Sequence, residues 1–407
     1  MSIAYKTVAP RISHARDRRL RLLLVTQAPG GGVGRHFLDM AEAMSARGVE
    51  VTGIYSPRKL DAQFVERLQA GSVPPMFPLM MRRAIHPLDA ADLWRLVRFI
   101  RALGPFDLIH AHSSKGGALA RLAACRLKIP TIYTPHAIVT LDPTLRAWQR
   151  HLYKRIELWL ARRTDAIIAV SQDEADHMRE LGFDGRKVHV VPNGIDRPRL
   201  LSREEARTQL GIPAEATVVG FVGRLTRQKA PDVMVEAFAA ASRNRPDLQL
   251  VMVGSGPAQD DTRRHVERLG LTSRVKLLGN VAGPPLMPAF DMFCLSSRYE
   301  AMPYVYLEAL AAGLPIVSTR VGGATTSVKP YRNGLIVPPD DVPALAAALT
   351  SLADDPKLRR LFAAGSLEMS QRFTAANMVD QTLNIYDRVL SQKTQVGEEL
   401  AGISSWQ

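Results

Sequence analysis

With 407 residues, the chain is long enough for two domains of roughly 150–200 residues each, and 46% hydrophobic and 23% charged residues are the balance of a soluble globular protein. No run approaches the roughly 20 apolar residues that cross a bilayer, and the distant Cys125 and Cys294 match no metal or redox spacing, so buried thiols in a reducing, cytoplasmic setting are expected. The net charge of +14 is uneven: residues 1–195 hold 29 Lys and Arg against 17 Asp and Glu, and residues 196–407 hold 24 against 22.

Leu22–Val25 follows basic residues, but it is too short for a signal-peptide core and flows into a glycine-rich turn, as a first strand does. Val-, Ile- and Leu-rich runs at 20–25, 49–55, 107–111, 130–134, 166–170 and 187–191 predict strands. Amphipathic stretches at 33–47, 88–103, 116–127, 143–163 and 172–181 predict helices between them. The plan recurs, without a fixed-period repeat, in strands at 217–222, 248–253, 275–278, 291–295, 315–318 and 335–337. Its helices fall near 231–243, 258–270, 303–313 and 341–354. Continuous apolar strands alternating with helices specify parallel sheets covered on both faces. The fold class expected is α/β, two Rossmann-like doubly wound domains facing across a cleft, with ligands outside the carboxyl ends of the strands. The seam falls in VPNGIDRPRL (Val191–Leu200), between an N-terminal domain over 1–195 and a C-terminal one over 196–373. A helix over 374–391 is expected to pack back on the first domain, with 392–407 as a tail.

Five segments carry chemistry. In APGGGVGRHF (Ala28–Phe37), Gly31, Gly32 and Gly34 let the backbone approach a ligand and are expected to be donor-binding, and the helix start offers N–H groups to an anion. The loop is neither a Walker loop nor a full GxGxxG, since Phe37 stands at the third glycine. In IHAHSSKGG (Ile109–Gly117), His110, His112 and Lys115 suit a polar rim better than a metal site, because no carboxylate or third histidine lies nearby in sequence. TIYTPHA (Thr131–Ala137) puts His136 just past a strand, where an imidazole hydrogen-bonds a substrate hydroxyl or relays a proton. In GFVGRLTRQKAPD (Gly220–Asp232), Arg224 and Lys229 beside a helix start make a diphosphate cradle. In SSRYEAMPYVYLEALAAGLPIVSTRVGG (Ser296–Gly323), Glu300 lies at a strand end, Pro303 suits the first helical turn and Glu308 lies well inside that helix. Glu300 then accepts from sugar hydroxyls and Glu308 from ribose hydroxyls, and the backbone near Met302, Pro303 and Tyr304 faces the diphosphate.

This pair of glutamates with its intervening proline, followed by AAGLPIVSTRVGG, resembles family 4 retaining glycosyltransferases of the GT-B fold. VGRLTRQK, VPNGID, VGSGP (Val253–Pro257), RNGLIVPPDD (Arg332–Asp341), TPHA and the glycine loop extend the likeness over nearly the whole chain. The motif order is similar to that of bacterial enzymes of exopolysaccharide, capsule or lipopolysaccharide assembly. The resemblance implies a UDP- or GDP-sugar donor, a lipid-linked or other glycan acceptor, no cofactor and no metal. It implies Arg224 and Lys229 on the diphosphate, Gly254 in the donor site, Glu300 on the sugar, Glu308 on the ribose and His136 beside the reacting centre. The retaining step it implies is a front-face displacement, with Glu300 binding the sugar rather than attacking it. Two positions depart from the family pattern: Ala301 stands where glycine is usual after the first glutamate, and Thr326 where GGxxE has its glutamate. Both bear on the choice of sugar.

In residues 143–163, Leu145, Trp148, Leu152, Ile156 and Trp159 form a stripe, with Arg146, Arg150, Lys154, Arg155, Arg162 and Arg163 around it. Two expectations compete: a core-packed helix with a solvated basic face, or an interfacial helix on anionic lipid, peripheral to the inner face of the membrane. The charge excess of the N-terminal half favours an anionic partner there. Other classes fit less well. An oxidoreductase needs the full dinucleotide fingerprint, a nucleic-acid binder a recognition module, and a non-catalytic sensor has no need of both Glu300 and Lys229. A nucleotide-sugar epimerase on the same fold is the nearest enzymatic alternative.

Overall fold

The computed structural model describes residues 18–58, 60–82 and 85–404. The first sheet holds β1 (Arg21–Thr26), β2 (Glu50–Tyr55), β3 (Met76–Pro78), β4 (Leu108–His112), β5 (Thr131–Thr134), β6 (Ala166–Ala169) and β7 (Val188–Val190). Their order is β3-β2-β1-β4-β5-β6-β7. The second holds β8 (Thr217–Val222), β9 (Leu248–Val253), β10 (Val275–Leu277), β11 (Met292–Leu295), β12 (Ile316–Thr319) and β13 (Gly334–Val337), in the order β10-β9-β8-β11-β12-β13. Both are parallel α/β sheets, as continuous apolar strands separated by helices require. Their central strands are buried along almost their whole length.

The chain forms two compact units. One contains the described residues up to Tyr133, Arg163–Ala166 and the chain from Met378 onward; the other contains Thr134–Arg162 and Ile167–Asn377. In the first unit the strand order reverses between β1 and β4, and the glycine loop and His112 leave from those strand ends. Here Tyr386, on helix Ala375–Ser404, contacts His110, Nδ1 to phenolic oxygen 2.6 Å. In the second unit the order reverses between β8 and β11. Phe221, Phe238, Phe290 and Phe293 fill the core beneath that point, and Gly220 is needed because a Cβ there would lie 2.0 Å from the Phe290 ring.

All twelve expected strands form, with boundaries within a residue or two. The edge strand β3 was not expected; its three residues end on Pro78, which an edge tolerates because one side of the strand needs no partner. Helices Ala62–Gln69, Arg203–Leu210 and Pro356–Ser370 were also missed. Arg203–Leu210 is marked by a Ser202-x-x-Glu205 capping box, in which each side chain accepts from the other's backbone N–H. The last helix runs to Ser404 rather than ending at 391, and residues 405–407 of the expected tail lie outside the described residues. Cys294 is buried as expected, but Cys125 is exposed, one position beyond the Ala123–Ala124 pair that its helix turns inward.

Candidate active site at the carboxyl ends of the second sheet

After β8 the chain turns through Gly223–Ala230 into helix Pro231–Ala241. This basic turn is laced to the loop after β9: the Gly223 N–H donates to Val253 O (2.9 Å) and the Leu225 N–H to Ser255 O (3.0 Å). Two glycines allow the approach. A Cβ on Gly254 would stand 2.0 Å from Gly223 O and one on Gly256 2.3 Å from Leu225 O, and Gly254 has φ +133°. VGSGP therefore holds the cradle loop from below. Arg224 is exposed and Lys229 mostly enclosed.

After β11, four consecutive side chains organise the site. Ser296 Oγ donates to the carbonyls of Lys229 and Ala230, at 3.0 and 2.9 Å. Ser297 Oγ donates to Glu300 Oε1 at 2.9 Å. Arg298 pairs with Asp232 (2.8 Å) and Asp340 (2.7 Å) and donates to Arg227 O, so it ties the basic turn to its neighbours. Tyr299 reaches Asp142 at 3.4 Å. Glu300, 8% exposed, then meets Lys229, Nζ to Oε1 2.6 Å. A charge pair this enclosed persists because Ser297, and Gln228 on the other oxygen at 3.5 Å, take up remaining hydrogen-bonding capacity.

The helix expected after Glu300 spans Tyr304–Ala311. Pro303 precedes its first residue rather than occupying it, since its ψ of 134° is extended; Glu308 is 6% exposed, a little over one turn in. Met302 and Tyr304 are buried. The tandem glycines pack on this segment: a Cβ on Gly322 would lie 2.2 Å from Glu300 O, and one on Gly323, at φ +77°, 2.8 Å from Met302 Cα. Asn193 Nδ2 donates to Met302 O at 2.8 Å, so NGID, read from sequence as a seam, also supports the site.

His136, half-buried, lies in the same unit. It and Ala137 have φ of +56° and +80°, conformations that cost on the order of 1–3 kcal/mol each for non-glycine residues. Glu174, with no exposed surface, holds them: Oε1 accepts from the N–H groups of Ala137 (2.8 Å) and Ile138 (2.9 Å), and Oε2 from Val170 (2.9 Å). Burial raises its pKa above the usual carboxylate range, against the pull of those three donors.

The first unit gives its glycine loop a structural account. Asp61 accepts from the Gly31 N–H at 2.6 Å, and a Cβ on Gly34 would lie 1.9 Å from Pro29 O. An anion at this helix start must displace Asp61; Gly32 is exposed. Lys115 pairs with Asp89. The fold also supplies the third histidine that the sequence did not show beside His110 and His112: the His36 ring centroid is 5.6 Å from that of His112, and His112 is 4.1 Å from His110. Burial, with the nearby His36, holds the His110 imidazole well below its usual pKa.

Helix Ala147–Ala161 turns the expected stripe outward. Trp148, Leu152 and Trp159 are 60%, 42% and 45% exposed, and with His151, Arg155 and Ile156 they line a shallow groove; Glu157, Leu160 and Ala161 face inward. The core-packed alternative for that stripe is thereby corrected. The core takes Leu160 instead, because it lies on the face that continues into the buried Ala161 and Thr164. Arg146, Arg150 and Arg155 are exposed beside the groove and Lys154 is half-exposed. Among the described residues no helix is long and apolar enough to cross a membrane.

Sequence-family models match in two segments, Glycosyltransferase Family 4 over residues 30–199 and Glycosyl transferases group 1 over residues 202–367. The D-inositol 3-phosphate glycosyltransferase of Stackebrandtia nassauensis is 34% identical over 71% of this chain and 70% of its own length. The UDP-Gal:alpha-D-GlcNAc-diphosphoundecaprenol alpha-1,3-galactosyltransferase of Escherichia coli is 30% identical over 69% of this chain and 75% of its own length. Among solved structures, HepE of Anabaena in complex with UDP-glucose superposes with a TM-score of 0.78 at 25% identity, covering 92% of this chain and 100% of that one.

Proposed function

Because the chain belongs to glycosyltransferase family 4, with two parallel-sheet α/β domains of the GT-B kind, we propose that it moves a sugar from a UDP- or GDP-sugar to a lipid-linked glycan, with retention and without a metal, in bacterial surface polysaccharide or lipopolysaccharide synthesis. The observation that carries the donor site is the enclosed Lys229–Glu300 pair where β8 and β11 diverge, the switch point at which open α/β sheets bind ligands. Lys229 and the exposed Arg224 supply the charge that a departing diphosphate needs, Glu300 orients the sugar, and Glu308 takes the ribose. Met302, Pro303 and Tyr304 line the diphosphate, and Gly254 keeps the cradle loop seated. Residues 196–373 hold the donor and residues 1–195 the acceptor, with helix 374–391 completing the acceptor domain.

In the reaction so proposed, the acceptor oxygen bonds to the anomeric carbon on the face from which the diphosphate oxygen leaves. The carbon–oxygen bond to phosphate breaks, and the acceptor's proton passes to the departing oxygen. Glu300 is poorly suited to be a nucleophile, since Lys229 and Ser297 both engage Oε1. His136 borders the reacting centre and orients a hydroxyl there. The outward face of Trp148 and Trp159, with Arg146, Arg150, Lys154 and Arg155, supports an anionic membrane surface as the place where the acceptor is met. The inositol-phosphate acceptor named for the Stackebrandtia relative favours a second reading, a soluble phosphorylated acceptor.

Screening hydrolysis of UDP- and GDP-sugars by the purified protein identifies the donor. Calorimetric titration with the corresponding nucleoside diphosphate then tests the site. Lys229→Ala and Glu308→Ala should each weaken binding at least tenfold, as loss of about 1.5–3 kcal/mol of charged hydrogen bonding requires, while unfolding stays cooperative. Wild-type affinity in either variant would remove that residue from the donor site.

A further inference from the structure

Helix Gln172–Leu181 begins with two adjacent carboxylates whose hydrogen bonds run to different loops. Asp173 Oδ2 accepts from the Gly323 N–H at 3.1 Å, and both its oxygens accept from Thr325 Oγ1, at 3.1 and 3.0 Å. Gly323 in turn packs against Met302 and Gly322 against Glu300. Glu174 reaches the opposite way and takes the N–H groups of Ala137 and Ile138. Ser171 caps the helix, its Oγ accepting from the Glu174 N–H at 3.2 Å, and the helix start favours negative charge at both positions.

The sequence Ser171-x-x-Glu174 has the form of a capping box, but the glutamate does not reach back to the capping residue's own N–H. It accepts instead from Val170, one residue earlier, and from the His136 turn. Its carboxylate is thus committed to holding a loop rather than only to ending a helix. Every group facing Glu174 in these contacts is a backbone N–H, so a carboxylate is required there: an amide would turn an NH2 toward an N–H. At Asp173 only the Gly323 N–H is an obligate donor, because the Thr325 hydroxyl can also accept. Adjacent residues on a helix diverge by about 100°, which lets one rigid turn of helix engage two loops.

We propose that Asp173 and Glu174 are positioning residues that clamp the His136 turn and the Gly322–Thr325 segment to one helix start, setting the spacing between the imidazole and the sugar-binding wall at Glu300–Met302. The clamp stands on the geometry of these contacts; its effect on turnover rests on the donor-site reading above. Glu174 acts through His136 and bears on the chemical step. Asp173 acts through Gly323 and bears on donor binding. Thr325 lies in the short helix Ala324–Ser327 that follows the tandem glycines, beside Thr326, where the family pattern has a glutamate, so Asp173 supplies an acidic tether to that segment from another helix.

The test uses the full-length protein with Glu174→Gln, Glu174→Asp and Asp173→Ala, and the exposed Gln172→Ala as control. In histidine-labelled protein, the His136 ring signal should shift or broaden in both Glu174 variants while that of His265 is unchanged. In Asp173→Ala, which removes both hydrogen bonds, the Gly323 amide signal should move and His136 should not. With the nucleotide sugar found in the screen, Glu174→Gln should lower kcat at least tenfold with donor KM within twofold, and Asp173→Ala should raise donor KM at least fivefold. If Glu174→Gln does not fold, Glu174→Asp, which keeps the charge but is one methylene too short to reach both loops, decides by the same readings. Unchanged His136 and Gly323 signals would overturn the clamp and leave a simple helix cap. If no nucleotide sugar is turned over, the donor reading fails by itself, and the spectra still decide the clamp.

Discussion

Gly254 has no room for a methyl group. A Cβ there would lie 2.0 Å from a backbone carbonyl oxygen, and the φ of +133° is outside the range of other residues. Gly254→Ala should therefore lower stability by about 1–3 kcal/mol, read as a shifted denaturation midpoint, and loosen the Arg224–Lys229 turn enough to weaken nucleotide binding. Equal stability and equal affinity would mean that the two loops are not pressed together. The glycine itself is plain in the sequence. Its reason is not, because the carbonyl it must clear belongs to Gly223, on another strand's loop. Glu300 and Lys229 are similar: each is visible at a strand end or helix start, but only packing brings Nζ to 2.6 Å from Oε1. Asp173, Glu174 and Arg298 were missed altogether, and Asn193 was seen only as part of VPNGID, without its role. The capping pattern at Ser171 and Glu174 was the one local signal, and it points to a helix start, not to the turn that Glu174 holds.

Helix Ala147–Ala161 shows why periodicity is ambiguous for an element. Spacings of 3 and 4 say that Trp148, Leu152, Ile156 and Trp159 share a face, and either a core or a lipid surface rewards that arrangement. The inward face is instead Glu157, Leu160 and Ala161. Leu160→Ala should thus cost about 2–5 kcal/mol, whereas replacing the 60% exposed Trp148 by Ala should change stability by no more than about 0.5 kcal/mol but reduce partition onto anionic liposomes. Replacing Arg150, Lys154 and Arg155 by Glu should abolish that partition, in a sedimentation assay with phosphatidylglycerol vesicles. Unchanged partition would remove the membrane from the proposed function and favour the soluble phosphorylated acceptor.

For the molecule as a whole, 12 of the 14 net positive charges fall in residues 1–195 (29 − 17 against 24 − 22). Attraction of that origin is screened within a Debye length, about 10 Å at 0.1 M salt and about 3 Å at 1 M. Liposome partition should fall at least tenfold across that range, while nucleotide affinity, which depends on an enclosed pair, should change far less. Salt-insensitive partition would place the contact on the tryptophans alone. The sequence by itself determined the α/β class, the two parallel sheets and the strand ends from which the site residues leave, because these follow from short-range patterns of apolar residues and turns. Only the tertiary structure decided which residues meet there and which way the tryptophan stripe faces. Asp173 and Gly323 stand 150 residues apart, and their contact depends on how helices and loops pack, at a precision of tenths of an ångström that no local periodicity encodes.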